Sequence, residues 1–531
     1  MAAENHRRSL GELFVRTARK NWQRRCICDC TGKSLSYGQA LVSAAAVGAE
    51  ITKQTHGQEK IGILLPASAA GALANLGLTL EGKVAVNLNY SLSEALVKSA
   101  INECGIESII SSRSFIEKLG ILKFFKGFLF FEDIVKKVTA AARIKAYLKA
   151  WLLPAGRLAN NRLRCGKDLA TVIFSSGSSG KPKGVMLSHD NIISNIESVL
   201  RVFKLIPQDN LCAVLPFFHS FGYTCSLWLP VVAGISASYV NNPLDGELAG
   251  RTACKNDSTI IFTTPTMLSY YIRRTAQEAF GGLRAVIVGA EALRKSLSDG
   301  FEEKFGIRPS EGYGTSELSP VVSLNVPAQL SCDASASGSK EGTVGMPIPG
   351  VSVKIVDIRD GRETVIGKPG LLLVKGPNVM LGYLNRDKET RKVVNNGWYN
   401  TGDIASIDQE GFLTIKDRLE RFSKIAGEMV PHKGVEEAFL QGLNTNEAVV
   451  AVTAVPDSRK GEELVVLYLD KAGDADKLHE IVTNSALPNL WKPRRNNYIK
   501  VKSLPVSGSG KLNVMELKKM ALSGNVKSSI R

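Results

Sequence analysis

Short apolar runs alternate with helix-period stretches through the first hundred residues. Ile61-Gly62-Ile63-Leu64-Leu65 reads as a buried strand and residues 69–80 as a helix. Val84-Ala85-Val86-Asn87-Leu88 is a second strand, residues 92–104 a second helix, and Ser108-Ile109-Ile110 a third strand. Such alternation predicts a parallel sheet flanked by helices. The runs at 170–174, 260–268 and 283–288 are also read as strands, the second of them running into a loop. Residues 344–415 change character. Val351-Ser352-Val353-Lys354-Ile355-Val356 alternates, and Gly370-Leu371-Leu372-Leu373-Val374 follows a Pro-Gly turn, so this stretch is read as β-rich. Residues 331–342, rich in Ser, Ala and Gly, are expected to form a surface loop.

Two uncharged runs, 61–80 and 210–244, are long enough to span a bilayer. The first contains Pro66 and Asn75; the second contains Pro216, His219, Gly222, Pro230 and Gly234. These breakers favour buried strands and helices. Residues 1–25 are polar and basic, with no apolar stretch of signal-peptide length. The segment 136–167 carries nine Lys/Arg and no Asp or Glu. Within it Val138, Ala141, Ile144, Leu148 and Trp151 recur at helical spacing, with Arg143, Lys145 and Lys149 to the sides and Lys137 on the apolar face. Two readings stay open: a basic amphipathic helix facing an anionic membrane or acidic partner, and an ordinary surface helix.

Composition adds bounds. A chain of 531 residues exceeds one ordinary core, so two or more domains are expected. With 44% hydrophobic and 22% charged residues, disorder is excluded as the general state. A formal charge of +17 implies attraction to something acidic: a nucleotide, an anionic membrane, a nucleic acid or an acidic carrier protein. No groove-reading motif accompanies the basic run, and no nucleic-acid partner is expected. Nine scattered cysteines fit a reducing, cytoplasmic compartment. Cys26, Cys28 and Cys30 alternate, which puts them on one face of a strand; zinc knuckles need two to four residues between ligands. They are read as structural, with a metal site the minor alternative.

The stretch Ser175-Ser176-Gly177-Ser178-Ser179-Gly180-Lys181-Pro182-Lys183-Gly184 follows the strand at 170–174. Its glycines allow close backbone approach, its hydroxyls donate, and its lysines add positive charge, as a phosphate requires. It differs from a Walker loop: only two residues separate Gly177 from Gly180-Lys181, and Pro182 follows. Continued through Val185-Met186-Leu187-Ser188-His189-Asp190-Asn191, it resembles the ATP-binding signature of the adenylate-forming superfamily, which includes acyl-CoA synthetases, luciferases and peptide-synthetase adenylation domains.

Further segments resemble that superfamily in its order. Leu215-Pro216-Phe217-Phe218-His219-Ser220-Phe221-Gly222 is similar to its Leu-Pro-x-x-His-x-x-Gly element, and Thr264-Pro265 lies in a segment like another that lines the acyl pocket. The resemblance implies that His219, Phe221, Thr264 and Pro265 border that pocket. Gly289-Ala290-Glu291 corresponds to a strand end that packs on adenine. In Gly312-Tyr313-Gly314-Thr315-Ser316-Glu317, Tyr313 would stack on the base, Thr315 would donate to a phosphate and Glu317 would bind Mg²⁺, a hard cation suited to oxygen ligands. Gly397-Trp398-Tyr399-Asn400-Thr401-Gly402-Asp403 matches Trp-x-x-Thr-Gly-Asp, whose carboxylate takes the ribose hydroxyls. Arg418 matches the arginine that reaches the nucleotide. Glu420 falls at the hinge pivot, where many members carry Asp. Lys511, in Gly508-Ser509-Gly510-Lys511, matches the adenylating lysine, although the usual following Arg is replaced by Asn513-Val514-Met515.

The resemblance implies an α/β protein: a large N-terminal domain over 1–419, with βαβ sheets and a β-rich subdomain, and a smaller mobile C-terminal α/β domain over 420–531. It implies a two-step ATP- and Mg²⁺-dependent ligation of a fatty acid to a thiol. Gly177 to Lys183 would hold the β- and γ-phosphates, with Ser175 and Ser176 also among the ATP-binding residues. Phe422-Ser423-Lys424-Ile425-Ala426-Gly427-Glu428-Met429-Val430 resembles the acyl-carrier-protein synthetase branch, which includes the synthetase half of the bacterial 2-acylglycerophosphoethanolamine acyltransferase. The acceptor expected is therefore the phosphopantetheine thiol of acyl carrier protein, as in fatty acid scavenging. The stretch before residue 30 leaves no room for a separate acyltransferase domain. A long- or medium-chain fatty acyl-CoA synthetase is the alternative. A catalytically silent lipid- or carrier-binding protein on the same fold is the alternative of another class. Peripheral contact with an anionic membrane stays open on the basic segment.

Overall fold

The computed structural model describes residues 8–120, 125–175, 182–332, 338–445, 447–457, 459–505 and 512–528. It is a mixed α/β protein. A nine-stranded sheet runs from Met346–Pro347 through Val321–Leu324, Ser310–Gly314, Ala285–Val288, Ile260–Thr263, Asn210–Ala213, Ser236–Tyr239 and Arg25–Asp29 to Ser34–Ser36. Its six strands from Ser310–Gly314 to Arg25–Asp29 are parallel. A seven-stranded sheet runs from Gly382–Tyr383 through Lys183–Ser188, Leu169–Ser175, Val84–Asn87, Lys60–Ile63 and Ile109–Ser111 to Phe128–Phe130.

The helix Ala69–Leu80 is buried along its whole length, which is why its sequence is apolar all round. Leu73 and Leu76 join the core of the nine-stranded sheet, while Ala74 and Leu78 join that of the seven-stranded sheet. It meets the helix Tyr37–Gln54 backbone to backbone. A Cβ on Gly48 would stand 2.4 Å from the Gly77 carbonyl oxygen, so only glycine permits this approach.

The predicted β-rich stretch forms a five-stranded antiparallel sheet of Ser352–Val356, Gly370–Lys375, Trp398–Ile407, Val394–Asn395 and Leu413–Arg418. After the turn of 3₁₀ helix Leu419–Arg421, a fourth sheet collects Glu428–Pro431, Phe422–Ile425, Gly461–Tyr468, Val450–Asp457 and Tyr498–Lys500. Alternation covers both its faces. Val450, Val452, Leu464 and Val466 pack under the helices His432–Gly442 and Ala475–Thr483, while Ala451, Val465 and Leu467 pack under the helix Val514–Ser528.

Several expectations are corrected. The strand at 260 does not run into a loop: Thr264 caps the helix Pro265–Arg274, accepting from the Met267 amide at 3.3 Å, and Pro265 takes the first helical position. Cys30 lies beyond its strand, which ends at Asp29, and among the described residues no group of His, Cys, Asp and Glu is disposed to hold a metal. Val138, counted in the apolar repeat, precedes the helix Ala140–Leu152, which buries Ala146 and Ala150 and leaves Ile144, Leu148 and Trp151 exposed. As expected, both uncharged runs divide into strands and helices, and no described helix is long and apolar enough to cross a membrane.

Candidate active site

Parallel sheets collect ligand-binding groups beyond the carboxyl ends of their strands. Here the strand ends at Ala213, Thr263, Val288 and Gly314 lead directly into the segments carrying His219 and Phe221, Thr264 and Pro265, Gly289 to Glu291, and Thr315 to Glu317. The strand order makes these four ends neighbours. A Cβ on Gly289 would lie 3.3 Å from the Phe221 ring and 3.5 Å from the Gly312 carbonyl oxygen, so three of the sequence segments meet at that point. Ala290 holds a left-handed φ of +70°. That turn brings Glu291 to Thr266, whose hydroxyl donates to its carboxylate at 2.7 Å.

His219 is half-buried, with its Nδ1 accepting from the Phe221 amide at 3.3 Å. The chain then runs into the π-helical turn Gly222–Trp228, buried throughout. Thr224 donates from this turn to the Ser319 carbonyl at 2.8 Å, and Ser220 shares a 3.0 Å hydroxyl–hydroxyl bond with Ser316. The expected acyl wall is thereby tied to the Glu317 turn.

Asp403 lies in the strand Trp398–Ile407, not in a simple turn. Leu373 pairs with Asn400 and Leu371 with Ile404, so the strand carries a bulge at Thr401, Gly402 and Asp403. Gly402 takes φ +71° there, and the Thr401 hydroxyl accepts the Asp403 amide at 3.0 Å. Bulges re-aim side chains, and this one turns a buried carboxylate toward Tyr313 and Arg418. The Tyr313 hydroxyl donates to Asp403 Oδ2, and Arg418 Nε stands 2.8 Å from Oδ1. Burial, and after it the Asp403 carboxylate, push the Tyr313 phenol well above its ordinary value, so it remains a donor.

A second cluster forms around Glu317. Its Oε1 accepts from the Tyr383 hydroxyl at 2.9 Å. Burial first, then the Glu317 charge, raise the Tyr383 phenol, and the same two causes raise Tyr399. Gly382–Tyr383 pairs antiparallel with Lys183–Ser188, which sets Lys183 Nζ 4.9 Å from the Tyr383 ring centre and 3.0 Å from Glu389. Ser175 and Lys183 are themselves cross-strand partners, so the strands on either side of the Gly/Ser/Lys stretch pair antiparallel. Ser176, Gly177, Ser178, Ser179, Gly180 and Lys181 lie outside the described residues, as does Lys511. The Thr315 hydroxyl oxygen is buried and has no hydrogen-bond partner among the described residues. An orphaned donor on a strand-end turn beside Glu317 fits a phosphate oxygen.

Glu420, the expected hinge residue, is exposed, whereas its neighbour Arg421 links the strand Leu413–Arg418 to the helix His432–Gly442. Arg421 reaches Glu436 of the helix His432–Gly442 and stands 3.6 Å from Asp417. Tyr383, Tyr399, Glu389 and Arg421 were not singled out from the sequence; each is placed by pairing or packing between distant segments.

A family model described as AMP-binding enzyme matches residues 14–384. This chain belongs to the AMP-binding enzyme family. Among curated family relatives, a long-chain-fatty-acid–CoA ligase of Escherichia coli O6:H1 is 27% identical over 441 residues, covering 78% of this chain and 77% of the relative. A probable 4-coumarate–CoA ligase 3 of Dictyostelium discoideum is 30% identical over 373 residues, covering 67% and 64%. Among solved structures, o-succinylbenzoate coenzyme A synthetase from Bacillus subtilis, in complex with ATP and magnesium ion, superposes with a TM-score of 0.79 at 22% identity, covering 95% of this chain and 99% of that one. At that identity the likeness speaks for the family fold.

Proposed function

We propose that this chain activates a fatty acid with ATP and passes the acyl group to a phosphopantetheine thiol. The observation that carries this reading is the convergence of Asp403, Tyr313 and Arg418 with Glu317, Tyr383 and Lys183. In this reading residues 1–419 bind nucleotide and acyl chain, and residues 420–531 move about Glu420. Asp403 accepts the ribose hydroxyls, held by Tyr313 and Arg418. Gly289, Ala290, Glu291, Gly312, Tyr313 and Gly314 form the adenine surface. Ser175, Lys183 and the loop between them hold the β- and γ-phosphates with the Thr315 hydroxyl. Glu317, steadied by the Tyr383 hydroxyl, would hold Mg²⁺, which would supply charge neutralisation on the phosphates. His219, Phe221, Thr264 and Pro265 border the acyl chain.

A fatty carboxylate is a weak nucleophile and the phosphates repel it. Alignment and charge neutralisation carry the step. A carboxylate oxygen bonds to the α-phosphorus as the bond to the β-phosphate oxygen breaks, and diphosphate leaves. Lys511 would balance the charge on the carboxylate and α-phosphate oxygens. The thiol sulfur then bonds to the acyl carbon, and AMP leaves with the mixed-anhydride oxygen. Rotation of the small domain between steps would withdraw Lys511 and admit the thiol.

Two acceptors share the phosphopantetheine chemistry. Acyl carrier protein is favoured by the stretch from Phe422 to Val430; the net charge of +17 suits an acidic carrier protein and anionic CoA alike and does not choose between them. Free CoA is favoured by the relatives named as CoA ligases. The test supplies ATP, Mg²⁺ and a long-chain fatty acid with either CoA or holo-acyl carrier protein, and follows diphosphate, AMP and thioester. Thioester on one acceptor only assigns it. No diphosphate with any fatty acid would hand the chain to the silent lipid- or carrier-binding class.

A further inference from the structure

The helix Ala140–Leu152 turns its apolar face outward. Successive residues advance by about 100° around a helix, which places Ile144, Tyr147, Leu148, Trp151 and Leu152 on one arc of about 140°. These side chains are 61, 48, 50, 50 and 76% exposed. Arg143 borders the arc on one side, and Lys145 and Lys149 on the other, all three exposed. Ala146 and Ala150 lie opposite and are buried. The helix is firmly seated. Arg19 donates to the Ala150 carbonyl at 2.7 Å and to the Leu153 carbonyl at 2.5 Å, ending the helix. The Trp22 ring lies 4.7 Å from Trp151 and 5.8 Å from Tyr147, in a space that a Cβ on Gly38 would close. Of the fifteen exposed large apolar side chains among the described residues, seven fall between Val135 and Leu163, within and beside a segment without a single acidic residue.

We propose that this face docks on an anionic lipid surface. Charge and shape together choose the occupant. A convex helix offers no groove for a peptide, whereas an apolar arc with cations at both margins suits the bilayer interface. Leu148, Trp151 and Leu152 enter the acyl boundary, and Arg143, Lys145 and Lys149 stay level with the headgroup phosphates. Exposed Lys136, Lys137, Arg157, Arg162 and Lys167 extend the positive field around the contact. Docking requires no turnover; it places the chain beside the phase that holds long-chain fatty acids.

The test is co-sedimentation of the full chain with vesicles of phosphatidylcholine alone, or mixed with phosphatidylglycerol, without ATP or fatty acid. The chain binds the mixed vesicles at least tenfold better, and added salt weakens binding. The triple variant Ile144→Ser, Leu148→Ser, Leu152→Ser loses at least tenfold in partitioning. The variant Arg143→Glu, Lys145→Glu, Lys149→Glu loses the preference for anionic lipid. No binding by the natural chain, or unchanged partitioning of the triple variant, overturns the proposal. So does a dimer abolished by the triple variant, or loss of holo-acyl carrier protein binding with vesicle binding kept. Should the triple variant fail to fold, Leu152→Ser alone and brominated-lipid quenching of Trp151, with Trp151→Phe as control, give the same decision. Vesicle binding without diphosphate release, and the reverse, are separable results, so failure here leaves the proposed reaction standing.

Discussion

The cluster around Asp403 and Glu317 and the outer face of the helix Ala140–Leu152 invert each other. In the first, polar and charged groups are withdrawn from water and tied together: Tyr313 and Arg418 to Asp403, Tyr383 to Glu317. In the second, large apolar groups are left in water beside exposed cations. Both arrangements cost free energy in the isolated chain. Buried charges are desolvated, and exposed Leu and Ile forgo roughly 1.5–3 kcal/mol each of burial. On the two proposals each cost is offset by what the place receives, a polar ligand in one and an apolar surface in the other. The comparison can be broken at either end.

The largest effect is expected at Lys511. Lys511→Ala should lower adenylate formation about 10³-fold, the scale of losing one charge-stabilising group at a reacting phosphate. Thioester formation from supplied acyl-adenylate should persist, because the lysine has no part in that step. Diphosphate release and single-turnover thioester formation measure the two halves. Equal loss in both would sink the assigned role. The same substitution should leave vesicle binding untouched, which keeps the two regions distinct.

Acid should break the interior before it touches the helix. His189 is buried, and its Nδ1 accepts from the Leu10 amide at 3.3 Å, fastening the first helix to the helix His189–Val202. Burial pushes its imidazole down to about 4. The unfolded chain thus binds a proton that the folded chain refuses. Stability is fully present above the ordinary value of about 6.5 and falls as pH drops through about 4, by on the order of 3 kcal/mol. Urea unfolding from pH 7 to pH 4 checks this. His189→Gln should flatten that slope, and an unchanged slope would assign the loss elsewhere.

Glu317 tests whether the polar cluster meets a cation. Glu317→Gln keeps an acceptor for the Tyr383 hydroxyl but removes the charge. It should raise the Mg²⁺ concentration for half-maximal diphosphate release about tenfold or more, a loss of one charged ligand. Unchanged Mg²⁺ dependence would reject it as a ligand while leaving Asp403 and Arg418 unaffected.

The local parts of this picture were legible in the sequence. The helix Ala69–Leu80 was read to the residue because a fully buried helix has no face to mistake. The motif residues Asp403, Arg418, Glu317 and Tyr313 could be singled out, but their mutual contacts could not. Tyr383 reaches Glu317 only because Gly382–Tyr383 pairs with Lys183–Ser188, two hundred residues earlier in the chain. Asp403 points at Tyr313 because of a bulge that alternation alone hides. For the basic helix two readings stayed open in the sequence, since periodicity finds an apolar stripe without saying which neighbour receives it. Its packing decides that: Ala146 and Ala150 are buried on the side of the helix Tyr37–Gln54, Arg19 donates to the Ala150 carbonyl, and Trp22 meets Tyr147 and Trp151 at the edge of the arc.

That open choice supplies the smallest expected effect and a sharp one. If the apolar arc faces water, Leu152→Ser should change the free energy of unfolding by less than about 0.5 kcal/mol, as for other surface positions. If the alanine face is the packed one, Ala150→Leu should cost about 1–3 kcal/mol, because the added atoms must displace Arg19 or the helix Tyr37–Gln54. Denaturant unfolding of the two variants compares them directly. The size order of the residues argues the other way: losing a leucine ordinarily hurts more than gaining one. A larger loss at Leu152 than at Ala150 would mean that the leucine is already covered within the chain. The helix would then be an ordinary packed element, and its face would no longer await a lipid surface.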